Sequence, residues 1–230
     1  MVYKTVKRKE NKMKSVLCAV LALIINGCGS NTKETELVNR PEGKILVVYY
    51  SQSGVQNTQT VAQWISEAVG GDIQEIEMVE PYTGSYREVV KRSREDFENN
   101  VRPIIKPFEK GLAEYDILFI GAPIWFGTYA PPAATFLAAH DFTGKIVIPF
   151  CTHGGGGAGN LYDDIRKNTE GASVVESGFT ARGSNQIERR IGRGVKSRVS
   201  KNDVILWLNE VFGAGMGHEE VIINRDISDI

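Results

Sequence analysis

Three short runs of the chain are almost entirely apolar, and this feature constrains the fold more than any other. They cover residues 45–50, 115–121 and 145–150. An unbroken apolar run of this length is typical of a strand that is buried on both faces, as in a parallel sheet. Helical patterns separate the runs, so strands and helices alternate along the chain. We therefore predict a doubly wound α/β fold, with a five-stranded parallel sheet and helices on both faces.

The other elements complete this plan. Residues 72–79 alternate between apolar and polar side chains, which predicts a half-exposed strand near a sheet edge, and residues 173–179 form the last strand. We expect an irregular connection over residues 183–200 and a final helix capped by Asn202 or Asp203. The preceding helices are predicted over residues 58–69, 86–100, 131–139 and 161–167.

The loop after the first apolar strand, residues 51–58 (the first loop), has the composition of a phosphate-binding turn. It holds hydroxyls, amides and one glycine, and a helical pattern follows it. Backbone N–H groups at a helix start are unpaired, and the helix dipole adds partial positive charge there. The alternative is a plain turn in which Asn57 or Thr58 caps the helix. Neither G-x-x-x-x-G-K-[ST] nor G-x-G-x-x-G occurs, so the motifs for triphosphate hydrolysis and dinucleotide binding are absent.

Two further loops follow apolar strands at the same predicted sheet edge, which is where open α/β sheets bind ligands. The second loop, residues 121–129, includes Trp125, Phe126 and Tyr129. Exposed rings suit a planar ligand, although Trp125 and Phe126 could instead fold back over the sheet as core. The third loop, residues 151–160, contains four consecutive glycines whose backbone amides are open to close approach.

The third loop also contains His153, which we interpret as a hydrogen-bonding or packing residue because no acid stands beside it in the sequence. None of the three loops holds the cluster of His, Cys, Asp and Glu that a metal needs. A phosphate at one end, a flat ring at the other and a polar middle describe flavin mononucleotide (FMN).

The first 27 residues resemble a bacterial export signal of the lipoprotein type. Basic residues at positions 4–14 precede an apolar run over residues 16–25, which is too short to span a bilayer. The sequence I-N-G-C that follows resembles a lipobox, in which Cys28 would carry the lipid. We therefore predict a signal peptide over residues 1–27, with Met13 as an alternative start, and a polar tether over residues 28–43. This organisation places a membrane-anchored lipoprotein in the cell envelope, periplasmic or on the outer face.

Removal of such a signal would change both the charge and the cysteine content. Residues 1–27 hold six basic residues and one acid, which leaves 21 basic and 27 acidic residues and a net charge of −6. An acidic surface disfavours nucleic acid as a partner. After Cys18 and Cys28, Cys151 remains alone, so no intramolecular disulfide can form in the mature chain. We interpret Cys151 as a buried small hydrophobic residue.

The chain resembles the flavodoxin-like family of small FMN-binding domains. The resemblance is carried by I-L-V-V-Y-Y-S-Q-S-G, Y-D-I-L-F-I-G-A-P-I-W-F-G-T and I-P-F-C-T-H-G-G-G-G-A-G, with F-T-A-R-G-S after them. These motifs stand in family order within residues 44–212 and leave a tail over residues 213–230. Relative to the family, the first loop carries an insertion, Val55 and Gln56.

The resemblance implies a role for each loop. The first loop would hold the phosphate of FMN, and the second would stack Trp125 on the ring, with Gly127 at a peptide that can turn toward the flavin. The third loop often supplies a second aromatic in flavodoxins, but here it offers small residues, so the outer ring face would be open. The cofactor-binding residues implied are Ser51, Gln52, Ser53, Gly54, Asn57, Thr58, Pro123, Ile124, Trp125, Gly127, Thr128, Thr152, His153 and Gly154.

Three functions are consistent with these residues. The first is an FMN-dependent redox protein that transfers electrons through the flavin to a protein partner or to a small quinone-like substrate. The second is an NAD(P)H-dependent quinone or nitro reductase that takes substrate at the open ring face. The third is an envelope binding module without flavin, which the insertion in the first loop favours.

Overall fold

The computed structural model describes residues 41–213, apart from Ser53, Val55, Ser177 and residues 184–198. The predicted signal peptide, the lipidation at Cys28, most of the tether, the connection over residues 184–198 and the tail beyond residue 213 therefore lie outside the described residues. They stay predictions. Within the described part of the chain, no helix is both long enough and apolar enough to cross a membrane.

Strands and helices alternate, as the sequence predicts. The strands are β1 (Ile45–Tyr49), β2 (Asp72–Glu75), β3 (Ile117–Trp125), β4 (Thr128–Tyr129), β5 (Ile146–His153), β6 (Ser173–Val174) and β7 (Phe179–Arg182). The helices are α1 (Asn57–Val69), α2 (Tyr86–Glu98), α3 (Pro131–Ala139), α4 (Leu161–Asn168) and α5 (Lys201–Gly213).

The sheet is parallel, with the order β2–β1–β3–β5–β6, while β7 pairs in parallel with β5 and β4 pairs antiparallel with the end of β3. The predicted five-stranded doubly wound sheet is confirmed, and β6 and β7 share its fifth position. The alternating segment is the edge strand β2, as expected, but it ends at Glu75 instead of continuing to residue 79. Beyond it, Met78 makes an isolated antiparallel bridge with Ile105.

The central strands are apolar throughout because successive side chains enter two different cores. In β1, for example, Leu46 and Val48 belong to one buried cluster, whereas Ile45 and Val47 belong to the other. The first cluster lies under α3 and α4, and the second lies under α1 and α5. Helices therefore cover both faces of the sheet.

The last predicted strand is divided, and Pro149 explains why. Val175 donates its N–H to the carbonyl of Val147, and Gly183 donates to the carbonyl of His153, so the odd-numbered residues of β5 face β6 and β7. Proline has no N–H, so position 149 cannot donate to that neighbour. The chain leaves the ladder after Val174 and rejoins it at Phe179.

The capping of the final helix also differs from the prediction. The Ser200 hydroxyl and the Asp203 carboxylate each bond to the other residue's backbone N–H, which is the capping-box arrangement. Ser200 is therefore the cap and neither Asn202 nor Asp203 is, because the helix already begins at Lys201, before both of them. The face of α5 that carries Val204, Leu208 and Val211 is buried, and Trp207 and Phe212 extend it.

Candidate functional site

The strand order reverses between β1 and β3, and the three loops meet just beyond the carboxyl ends of β1, β3 and β5. Two hydrogen bonds join them: the hydroxyls of Thr58 and Thr152 lie 2.8 Å apart, and the Asn160 N–H donates to the Gly127 carbonyl at 2.7 Å. The reversal point of a doubly wound sheet is where this architecture forms its ligand crevices. The candidate site therefore lies at this edge.

Ser51 supplies the most informative polar group in the first loop. Its hydroxyl oxygen is buried and has no hydrogen-bond partner among the described residues. A buried hydroxyl without a partner is costly, with a penalty of roughly 1–3 kcal/mol, so such groups are rare unless a ligand completes them. Ser51 opens the loop that leads from β1 to α1, so its hydroxyl belongs to the segment in which an anion at the helix start would be bound.

The start of α1 is not capped in the manner of an ordinary turn. Gln56 occupies the cap position in the left-handed region, with φ of 50°, and makes no side-chain bond to the helix. The alternative interpretation, in which Asn57 or Thr58 is the cap, is wrong: Asn57 is the first helical residue, and the Thr58 hydroxyl pairs with Thr152. The helix therefore begins without a side-chain cap at its N-terminus, which favours an anion there.

Gln52 is held by aromatic residues. It donates from Nε2 to the Tyr82 carbonyl at 2.9 Å and accepts from the Tyr50 hydroxyl at 2.7 Å. Burial raises the pKa of Tyr50 well above its usual value, so this phenol stays protonated and continues to donate. The bond to Tyr82 fixes the first loop to the segment after β2, and the bond from Tyr50 employs the oxygen of the same Gln52 amide.

Trp125, at the end of β3, contacts two tyrosines. Its ring centroid lies 6.0 Å from that of Tyr50, edge to face, and 5.6 Å from that of Tyr82. The indole remains half-buried, so these contacts fix one side of it without enclosing it. Pro123 and Ile124, which precede it in β3, are also half-buried.

Phe126 turns away from the sheet, toward α2. Its backbone is left-handed, with φ of 53°, and its ring lies 5.3 Å from that of Phe97. The Arg94 guanidinium stands 4.7 Å from the Phe126 ring centroid. Phe126 therefore anchors the second loop on α2, and neither a ligand-stacking role nor a core position describes it. Tyr129, for which the sequence predicts an exposed ring, is buried, and burial raises its pKa to about 12.

The rest of the second loop is attached to α4. The Thr128 hydroxyl donates to the Asp164 carboxylate at 2.6 Å, and the Gly127 carbonyl accepts the Asn160 N–H. The predicted role of Thr128 at the ligand thus competes with a strong bond inside the protein. The carbonyl of Gly127 is likewise occupied, so rotation of its peptide toward a ligand would break the bond to Asn160.

Gly159 is required by this attachment, which gives a prediction. A Cβ at Gly159 would overlap the Gly127 carbonyl, and the Gly159 backbone is left-handed, with φ of 56°. We expect Gly159→Ala to lower the free energy of unfolding by about 1–2 kcal/mol, through steric overlap and backbone strain. Urea denaturation measures this change. Gly156→Ala is the matched control because nothing lies within 4 Å of a Cβ there, and equal stability losses in the two variants would contradict the assignment.

The third loop presents bare backbone to open space. A Cβ added at Gly154, Gly156 or Gly157 meets no atom within 4 Å, and the same holds for Gly127 in the second loop. His153 lies at the base of the glycine run, where its Nδ1 accepts the N–H groups of Gly155 and Gly157, each at 3.0 Å. The glycines therefore leave open space beside the backbone, which a ligand edge can approach closely.

Cys151 is buried below this loop, as the sequence predicted. Its side chain is fully buried, and burial raises the pKa of the thiol to about 12, which leaves it unreactive near neutral pH. Among the described residues, no group of three or more His, Cys, Asp and Glu side chains is placed to hold a metal ion.

A separate open cavity of about 670 Å³ is lined by residues that include His140, Asp141, Asn168 and Glu170. These residues precede β5 and β6, at the opposite edge of the sheet from the three loops. The cavity is therefore not part of the candidate site.

Several residues that shape the site were not predicted. Tyr50 and Tyr82 flank Trp125, while Asn160 and Asp164 hold the second loop. Tyr50 could have been found, because a large aromatic ends the first apolar run directly before the first loop. Tyr82 lies 32 residues after Tyr50 in the sequence, and no local pattern marks it.

The fold and the site define a flavodoxin-like α/β protein. A family model described as flavodoxin matches residues 44–210. The chain belongs to the flavodoxin family. No curated protein matches it in sequence.

Solved structures agree. A protein from Bacteroides uniformis that is described as a flavoprotein is 29% identical with a TM-score of 0.58, and the match covers 73% of this chain and 99% of that one. A second, from Bacteroides eggerthii, is 28% identical with a TM-score of 0.55, covering 74% and 98%. A flavoprotein in complex with FMN from Lactobacillus acidophilus shares the fold at 22% identity and a TM-score of 0.50, covering 67% and 100%.

Proposed function

We propose that this protein binds FMN at the three loops and transfers electrons through it. The observation that carries the proposal is the buried Ser51 hydroxyl, which has no partner among the described residues and lies in the loop that leads to the uncapped start of α1. A phosphate at this position would accept a hydrogen bond from the hydroxyl and face the positive end of the helix dipole.

The other loops fit the rest of FMN. Glycines leave open space beside the third loop, and the half-buried indole of Trp125 stands at the second loop. Small groups and backbone amides suit the edge of a flat ring, and an aromatic side chain suits its face. A flavoprotein with this fold has been solved in complex with FMN, which supports the same cofactor here.

The chain's own residues bind and orient the cofactor. The first loop and the start of α1 hold the phosphate, Trp125 stacks on the ring, and Tyr50 and Tyr82 fix the indole from behind. FMN, when bound, supplies the electron chemistry, and the protein supplies position and electrostatics. The described site contains no metal cluster and no reactive thiol at its surface.

The open third loop favours a second candidate, an NAD(P)H-dependent quinone or nitro reductase. Three glycines of this loop face empty space, so one ring face stays accessible to a small substrate. Anaerobic stopped-flow mixing of the FMN-loaded protein with NADPH separates the candidates. Bleaching of the flavin absorbance within a turnover time supports the reductase, and an unchanged spectrum supports the electron carrier.

Replacement of Trp125 tests the cofactor assignment. We expect Trp125→Ala to weaken FMN binding about tenfold, because aromatic stacking contributes roughly 0.5–1.5 kcal/mol beyond the area that it buries. Quenching of FMN fluorescence on titration with apoprotein measures the affinity. Trp125→Phe keeps a ring and should retain most of it. An unchanged affinity in Trp125→Ala would contradict the stacking role, and absence of binding by the unmodified protein at micromolar concentrations would favour the binding module without flavin.

A further inference from the structure

His153 is placed to organise the third loop. It is the last residue of β5, is only 9% exposed, and pairs in register with Arg182 of β7. Its Nδ1 lies 3.0 Å from the backbone nitrogens of both Gly155 and Gly157. A backbone N–H can only donate, so Nδ1 must present its lone pair to both groups. The imidazole is therefore neutral and carries its hydrogen on Nε2.

Those two hydrogen bonds restrain the most flexible part of the site. Residues 154–157 are all glycine, and glycine loses more conformational freedom on ordering than any other residue. Gly155 and Gly157 both adopt positive φ, at 142° and 72°, so the run follows a path that only glycine takes readily. The bonds to one ring nitrogen fold this run into a turn in which the N–H groups of Gly155 and Gly157 face His153.

We propose that neutral His153 is the positioning residue of the third loop, and that its protonation releases the loop and with it FMN. A proton on Nδ1 replaces the lone pair with a donor, so neither glycine N–H retains its acceptor. The loop then loses both restraints at once, and the edge of the FMN site becomes disordered. This inference rests on the proposed function for its effect on FMN, but the hydrogen-bond pattern in the protein can be tested without FMN.

Within the described part of the chain, few charged groups lie near His153. On β7, Arg182 stands opposite it in register, and the Arg182 guanidinium lies 3.8 Å from where a Gly155 Cβ would be. On α4, Asp163 pairs with Arg166 at 2.8 Å, Asp164 accepts from Thr128, and Tyr162 is the other titratable group near the helix start. The end of β3, the glycine run and the first turn of α1 carry no ionisable side chain. Among these described groups, Arg182 is the one that would repel a proton on His153, and this repulsion adds to the loss of the acceptor.

The experiment compares His153→Asn with His153→Leu across pH 5–8. An asparagine Oδ1 lies as far along the side chain as Nδ1, accepts N–H groups and does not titrate. Leucine removes the acceptor. The FMN phosphate itself takes up a proton near pH 6 and so changes FMN affinity in every variant. The informative quantity is therefore the difference between proteins in the affinity lost on acidification. We expect the unmodified protein to lose at least tenfold more FMN affinity between pH 7.5 and pH 5 than His153→Asn, and His153→Leu to bind weakly throughout.

Two measurements keep the outcomes distinct. His140→Asn removes the other described histidine, whose Nδ1 bonds to the Phe136 carbonyl outside the site, and it should retain the full pH dependence. Nitrogen NMR of the apoprotein should show the Nε2–H tautomer at pH 7.5 and a shift of the Gly155 and Gly157 amide signals on acidification. Parallel pH curves for the unmodified protein and His153→Asn would overturn the release of FMN. An Nδ1–H tautomer or immobile glycine signals would overturn the positioning role even if FMN binds.

Discussion

Alanine at position 121 is expected to lower the free energy of unfolding by about 3 kcal/mol, at the upper end of the usual cost of overpacking a core. Gly121 in β3 pairs in register with Phe150 in β5. The Phe150 ring is fully buried and covers the space in which a side chain at position 121 would project, so a Cβ there would overlap the ring. The strands on both sides prevent the backbone from moving apart.

Urea denaturation with a double-mutant cycle measures this effect. Phe150→Leu removes part of the obstructing ring, so the loss in the Gly121→Ala/Phe150→Leu protein should be smaller than the sum of the two single losses. Gly111→Ala is the control, because only one flexible side-chain atom lies within 4 Å of a Cβ there, and it should change stability by less than about 0.5 kcal/mol. Additive losses would show that Gly121 and Phe150 are not coupled.

Replacement of Ser51 by alanine should change stability and binding in opposite directions. In the apoprotein the buried hydroxyl has no partner among the described residues, so its removal should stabilise the fold by about 1 kcal/mol. The same change removes a charge-assisted hydrogen bond to the phosphate, which contributes roughly 1.5–3 kcal/mol, and FMN affinity should fall at least tenfold.

Ser66 provides a matched control on the same helix. Its hydroxyl donates to the Gly71 carbonyl at 2.8 Å, at the far end of α1. We expect Ser66→Ala to destabilise the apoprotein by about 1 kcal/mol and to leave FMN affinity unchanged. Thermal unfolding of the apoproteins measures the change in stability, and FMN titration measures the change in affinity. A loss of stability in Ser51→Ala with unchanged affinity would mean that the Ser51 hydroxyl is satisfied within the protein.

The sheet could be predicted from sequence because burial on both faces leaves an unmistakable composition. Residues 45–50 cannot alternate when Leu46 faces one core and Val47 the other. The break in the last strand was harder to predict from the sequence. It depends on which neighbouring strand of β5 faces position 149, where proline has no N–H to donate. That direction is set by the pairing register, which the sequence of one strand does not contain.

The three loops could likewise be located, but their internal contacts could not. The position of Trp125 at the end of an apolar strand predicts its place at the sheet edge. Its contact with Tyr82 depends on how the chain returns after β2, and the bond of Thr128 to Asp164 depends on the packing of α4. Both are long-range contacts that local patterns do not encode. Phe126 shows the consequence, because an exposed aromatic that suggested a ligand instead anchors its loop on Phe97 and Arg94.

The central claim is that the first loop and the start of α1 bind a phosphate while Trp125 and the glycines hold the ring. Parallel titrations of the apoprotein with FMN and with riboflavin, which lacks the phosphate, test it most directly. We expect FMN to bind at least tenfold more tightly than riboflavin, and Ser51→Ala to narrow that ratio by reducing FMN affinity alone. Equal affinities for the two flavins, or a ratio that Ser51→Ala leaves unchanged, would contradict the phosphate site.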